Sequence, residues 1–188
     1  MIAHVQTVSY RSATPADAAA VAALHADSWR RHYRGAYADD FLDGDVTSDR
    51  LQLWTHRLNA PSDGTWATFV AAADEGLIGF AHTILDADDQ WGALLDNLHV
   101  SAACQRRGIG AALLRMVARF VCEARPGSGL YLWVLEQNVN GQAFYRANDG
   151  SPADREPVKP VNGVPGRLNG SPEAIRYVWP TPASLLSG

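Results

Sequence analysis

The 188-residue sequence has little of what several protein classes require. It contains two cysteines, Cys104 and Cys122. That is too few for a disulfide framework, and no cluster of Cys and His shows metal-ligand spacing. These absences point to a cytoplasmic protein with free thiols and no metal. No apolar run approaches the length of a membrane span. Met1 to Tyr10 lacks the basic flank and apolar core of a secretory leader. Basic charge is also scarce: the formal net charge is -4. Broad phosphate neutralisation is excluded, and with it the usual nucleic-acid binder, although one local basic pocket is not.

What is present suits a globular chain. Hydrophobic residues make up 47% and charged residues 19%, and the length suits one domain spanning residues 1–188. Val5 to Ser12 reads as a first strand. Thr14-Pro15-Ala16-Asp17 has the residues of a helix start, leading into Val21, Leu24, Ser28 and Trp29. A second helix begins near Ser48, with Leu51, Trp54 and Leu58 on one face. Trp66–Ala73 and Leu77–Leu85 flank Asp74-Glu75-Gly76 as a hairpin. Leu94–Val100 is a further strand. After a polar loop, Ile109, Leu113, Val117, Phe120 and Val121 form the apolar face of a strongly amphipathic helix. Leu130–Leu135 is a strand, Asn140–Arg146 a short helix, Gly150–Pro172 a weak strand with a long loop, and Ile175–Trp179 the last strand. The order β-α-α-β-β-β-α-β-α-β-β predicts an α/β class fold, a mixed sheet with helices.

The informative stretch is Gln105-Arg106-Arg107-Gly108-Ile109-Gly110-Ala111, between a strand and a helix. Glycines remove side chains where a backbone must approach a ligand. A helix N-terminus offers unpaired N–H groups and the positive end of a dipole. From Ser101 to Phe120 every ionisable group other than Cys104 is an arginine. The residues themselves therefore predict a phosphate site, with Gly108 and Gly110 serving merely a tight turn as the equal alternative. The P-loop string is missing, and the third glycine of a dinucleotide fingerprint is replaced by Leu113.

Leu98-His99-Val100 followed by Gln105-Arg106-Arg107-Gly108-Ile109-Gly110 resembles the signature of the GNAT superfamily of N-acetyltransferases. Leu132-Trp133-Val134-Leu135 followed by Asn138-x-x-Gly141-x-x-Phe144-Tyr145 is similar to the second half of that family's acetyl-CoA site, with Gly141 where the family usually has Ala. The resemblance is specific from about Leu94 to Gly150. It implies about seven strands and four helices with splayed central strands. It implies acetyl-CoA as cosubstrate, its pantetheine running along Leu98, His99 and Val100 and its diphosphate on Gln105 to Ala111, with Asn138 and Phe144 nearby. It implies direct attack by a primary amine of a small molecule, with a protein or peptide acceptor, or a non-catalytic sensor of acetyl-CoA, as alternatives. Homodimerisation is left open.

By the same resemblance, Tyr145 is the acid that protonates the departing thiolate. Asp96 is the candidate base, with a structural carboxylate as the equal alternative. Strand alternation predicts that Leu94, Asp96, Leu98 and Val100 share one face and that Asn97 and His99 share the other, where His99 would be packed. Some relatives place a glutamate where this chain has Trp133. Trp29, Tyr33 and Arg34 are the candidate acceptor-binding residues.

Overall fold

The computed structural model describes residues 7–187. Seven strands form one sheet: β1 (Ser9–Ser12), β2 (Trp66–Ala73), β3 (Gly76–Asp88), β4 (Gly92–Val100), β5 (Leu130–Leu135), β6 (Ser151–Pro157) and β7 (Glu173–Trp179). Four α-helices accompany them: α1 (Ala18–His32), α2 (Val46–Asn59), α3 (Ile109–Ala124) and α4 (Val139–Ala147). The strands lie in the order β1-β2-β3-β4-β5-β7-β6. All neighbours are antiparallel except β4 and β5. The part of the expected first strand at Val5 and Gln6 lies outside the described residues. Among those residues no helix is long and apolar enough to cross a membrane.

The local chemistry explains the element ends. The Asp17 carboxylate accepts the Thr14 N–H at 2.7 Å and hydroxyl at 2.9 Å, and Arg11 donates to it at 2.7 and 2.8 Å. This fixes the turn that feeds α1. Gly76 takes φ +113° beside the Asp74-Glu75 turn of the β2–β3 hairpin, a conformation that suits a residue without Cβ. β6 is an exposed edge strand containing Pro152 and Pro157 and a register break between Pro152 and Arg155. Its irregularity follows from the missing N–H donors, which an edge tolerates.

Helix α3 packs Ile109, Leu113, Leu114, Val117, Ala118 and Val121 on one sheet face, against Ala81, Leu95, Leu130 and Leu132. On the opposite face, α1 and α2 bury Val21, Ala22, Trp54 and Leu58 against Val70 and Phe80. Leu51 was expected on the buried face of α2 but is 44% exposed. The buried line is Val46, Arg50, Trp54 and Leu58. The long Arg50 side chain takes the place of an apolar residue because its guanidinium lies 4.5 Å from the Trp29 ring centre and pairs with Asp49.

Candidate active site

β4 and β5 pair only at Ala93↔Leu130 and Leu94↔Tyr131. Beyond Leu94 the strands part. The outer edges stay covered, β4 by β3 and β5 by β7. The inner edges line a cleft of about 660 Å³.

A bulge in β4 shapes this cleft. Asn97 pairs with His82 and Leu95 pairs with Thr83, so Asp96 is the extra residue. A bulge interrupts the alternation of side chains. The expected grouping of Leu94, Asp96, Leu98 and Val100 on one face is therefore corrected. Leu98 and Val100 pack toward α3, with Leu95. Asp96 turns to the other face and accepts from Arg57 Nη1 of α2 at 2.7 Å. His99 lies on that face too, its Nδ1 2.7 Å from Ser28 Oγ of α1. Ser101 N–H bonds to Ile78 O on β3 at 2.8 Å. Alternation from there aims the His99 backbone at β3 and the Leu98 and Val100 backbone at the gap.

At one end of the cleft, Gly108 caps α3 with φ +79° and Arg106 has φ +60°. No side chain caps the helix, so its first N–H groups remain available to an anion. Gly110 has a different reason: a Cβ there would stand 3.2 Å from Phe144 Cζ and 3.3 Å from Cε2. The close approach of α3 and Phe144 leaves a Cβ tight against the ring, which would have to shift by a few tenths of an ångström.

The cleft brings together most of the expected residues: Asp96, Leu98, His99, Val100, Gln105, Arg106, Gly108, Ile109, Gly110, Ala111, Asn138, Phe144 and Tyr145, with Tyr33. Arg107 is not among its walls; its guanidinium lies 3.9 Å from Cys104 Sγ. Asn138 lines the cleft but its Oδ1 is taken by the Gly141 N–H of α4 at 2.9 Å, a helix cap. Trp29 does not reach the cleft. It is buried beneath Tyr33, Tyr37 and Phe41. Arg34 also stays outside, held on the surface by Asp39 and Asp43.

Sequence reasoning did not single out Ser28 and Arg57 as functional. Ser28 and His32 line the cleft, and Arg57 partners Asp96 there. Their partners are distant in the chain, so no local pattern marks them. Trp133 also lines the cleft, with the Arg176 guanidinium 4.5 Å from its ring centre.

The titratable groups have been moved by burial. Burial raises the Tyr145 phenol above its ordinary 10.0 and keeps it protonated. Tyr33 moves the same way, first by burial and then by the nearby Tyr37, Tyr145 and Asp96. His99 falls to about 3 through burial and the charges of His32 and Arg50, against the opposing pull of Asp96. It is neutral at neutral pH.

The acetyltransferase (GNAT) family profile matches residues 23–149. The chain belongs to the GNAT acetyltransferase family. It is 28% identical over 158 residues to a probable N-acetyltransferase of Mycobacterium tuberculosis, covering 84% of this chain and 88% of that one. It is 29% identical over 143 residues to an uncharacterized N-acetyltransferase of Bacillus subtilis, covering 74% and 78%. Its fold matches the PaiA N-acetyltransferase of Thermoplasma acidophilum, solved with coenzyme A, at a TM-score of 0.69 and 19% identity over 92% of this chain and 99% of that one. A GNAT enzyme with a gap between β4 and β5 and bare amides beside it is thus an N-acetyltransferase with its central cleft intact.

Proposed function

We propose that this GNAT enzyme transfers the acetyl group of acetyl-CoA to a primary amine of a small molecule. The observation that carries this reading is the end of β4–β5 pairing after Leu94, next to the uncapped start of α3. The diphosphate sits on the amides of Gly108 to Ala111, with Arg106 beside it. The pantetheine arm occupies the gap and takes the free backbone groups of Leu98 and Val100 as an added strand would. The matching fold of the PaiA enzyme of T. acidophilum, solved with coenzyme A, supports a coenzyme A site in this fold.

The amine enters from the α1–α2 side. Its nitrogen attacks the thioester carbonyl carbon, and a backbone N–H at the gap receives the charge growing on oxygen. The C–S bond breaks as the N–C bond forms. The thiolate takes a proton from the Tyr145 hydroxyl, and the nitrogen loses one to Asp96, directly or through a water. Arg57 holds the Asp96 carboxylate in place.

A small acceptor is favoured by the loops that follow Tyr33 at the end of α1. The connection between α1 and α2 is joined to the β6–β7 loop by Ala38 N–H to Arg167 O at 3.0 Å and Asn169 N–H to Ala36 O at 2.9 Å. Trp133 fills the position on β5 from which some relatives present a carboxylate. Loops joined in this way favour a compact acceptor over a long peptide.

The test is calorimetry with acetyl-CoA, followed by thiol release with a panel of amines and short peptides. Tyr145→Phe should retain acetyl-CoA affinity and lose roughly a hundred-fold in kcat. No heat with acetyl-CoA on folded protein would end the proposal, and equal kcat in both proteins would remove Tyr145 from the chemistry.

A further inference from the structure

Three histidines on the α1–α2 face, His25 and His82 buried and His99 half-buried, share one feature: each has its Nδ1 engaged by a side chain that can donate. Trp54 Nε1 donates to His25 Nδ1 at 2.8 Å. An indole can only donate, so His25 carries its proton on Nε2. Thr68 Oγ1 lies 2.7 Å from His82 Nδ1, and Ser28 Oγ lies 2.7 Å from His99 Nδ1. His99 differs from His25 in one respect. His25 Nε2 is sealed away from any partner, whereas His99 lines the cleft and its Nε2 is not among the sealed atoms.

The Ser28 hydroxyl favours one His99 tautomer. Ser28 is 7% exposed, and among the described residues its hydroxyl has His99 as its one hydrogen-bond partner. Donation from Ser28 to Nδ1 satisfies the hydroxyl proton and puts the imidazole proton on Nε2. The reverse arrangement would leave the hydroxyl proton without a protein acceptor.

We infer that the Ser28–His99 pair presents a neutral N–H donor to the acceptor end of the cleft, selecting primary amines that carry an oxygen acceptor (a carbonyl, carboxylate or hydroxyl) within a few bonds of the nitrogen. Asp96 and His99 lie on the same face because of the bulge. Asp96 can take the amine hydrogens while His99 Nε2–H takes the neighbouring oxygen. A hydrocarbon amine of the same shape leaves that donor unpaired, and a site built to bond oxygen rejects a substrate without one. The surrounding charge agrees: Arg50 adds positive potential at His99, which Asp96 opposes, and the ring stays uncharged and keeps its single donor. The inference rests on the acetyltransfer reading and narrows its acceptor to a chemical class such as amino acids, their amides and amino alcohols.

Ring ¹⁵N NMR on histidine-labelled protein, with His99→Gln to assign the signal, reads the tautomer without any acceptor. The expected result is a protonated Nε2 with no titration between about pH 8 and pH 5; a protonated Nδ1 overturns the inference. Thiol release then compares L-alaninamide with its hydrocarbon isostere 3-methyl-2-butanamine at equal concentrations of unprotonated amine. The expected kcat/KM ratio is roughly ten-fold or more in favour of the amide. His99→Gln, which keeps an N–H near the Nε2 position, should preserve most of it, and His99→Phe should bring it to about one. Equal rates for the two amines in the unaltered enzyme overturn the inference and leave the acetyltransfer reading standing. Acetyl-CoA binding without thiol release from either amine overturns the acceptor class. Failure to bind acetyl-CoA overturns the acetyltransfer reading itself.

Discussion

Acid should destabilise this protein through histidines that fold uncharged, and His82 allows the size to be worked out. His82 is 3% exposed, lies on β3 between the Trp54 and Trp66 rings, and is lowered from 6.5 to about 4 by burial first and by Arg57 next, with Asp96 opposing. Its folded value is below its unfolded value. The stability it contributes is therefore fully present above pH 6.5 and is lost as pH falls toward the folded value. At pH 5 the unfolded chain gains about 2 kcal/mol from protonating this one ring and the folded chain gains about 0.1 kcal/mol; at pH 7 the unfolded gain is about 0.2 kcal/mol. Lowering the pH from 7 to 5 should thus remove about 2 kcal/mol of stability through His82. His82→Asn retains a polar partner for Thr68 and cannot titrate. Its loss at pH 7 should be followed by a shallower decline toward pH 5, by about 2 kcal/mol relative to the unaltered protein. Urea unfolding at pH 7, 6 and 5 measures both. His25 and His99 add to the decline in both proteins and cancel in the comparison. If the two proteins lose the same stability between pH 7 and pH 5, burial of a neutral His82 is not a source of the acid sensitivity.

Other perturbations follow from named contacts. Gly110→Val places methyl groups where Phe144 now packs, and calorimetry should show acetyl-CoA affinity reduced by roughly ten-fold or more, about 1.4 kcal/mol. Asp96→Asn removes the proposed base and should lower kcat by roughly a hundred-fold, measured by thiol release, while leaving acetyl-CoA binding unchanged. Asp49 accepts from Arg50, from Arg167 at 2.8 Å and from Asn162 at 3.1 Å, tying the β6–β7 loop to α2. Asp49→Ala strands the buried Arg50 charge, which should cost about 3 kcal/mol in urea unfolding and open residues 158–172 to limited proteolysis.

The sequence made the architecture legible where local chemistry decides. The order of elements holds throughout. The limits of β2 and β5 match the apolar runs, because each run is bounded by turn residues that cannot continue a strand. The uncapped start of α3 proposed as the anion site could be read because its parts lie within a few residues: Gly108, Gly110 and the amides of one helix start. Leu51 was misplaced because helical periodicity cannot tell that the stem of Arg50 replaces an apolar side chain.

The parity of β4 could not be read at all. A bulge is defined by two strands together, and nothing in Leu94 to Val100 alone says that Asp96 is left without a partner. Residues adjacent in the chain carried their own signal, namely which segments fold into strands and helices and where an anion can rest. Tertiary structure alone decided which side Asp96 faces, that Ser28 meets His99 and Arg57 meets Asp96, and that Arg34 is neutralised on the surface. Those outcomes depend on hydrogen bonds and packing between segments far apart in the chain, where no local pattern reports the partner.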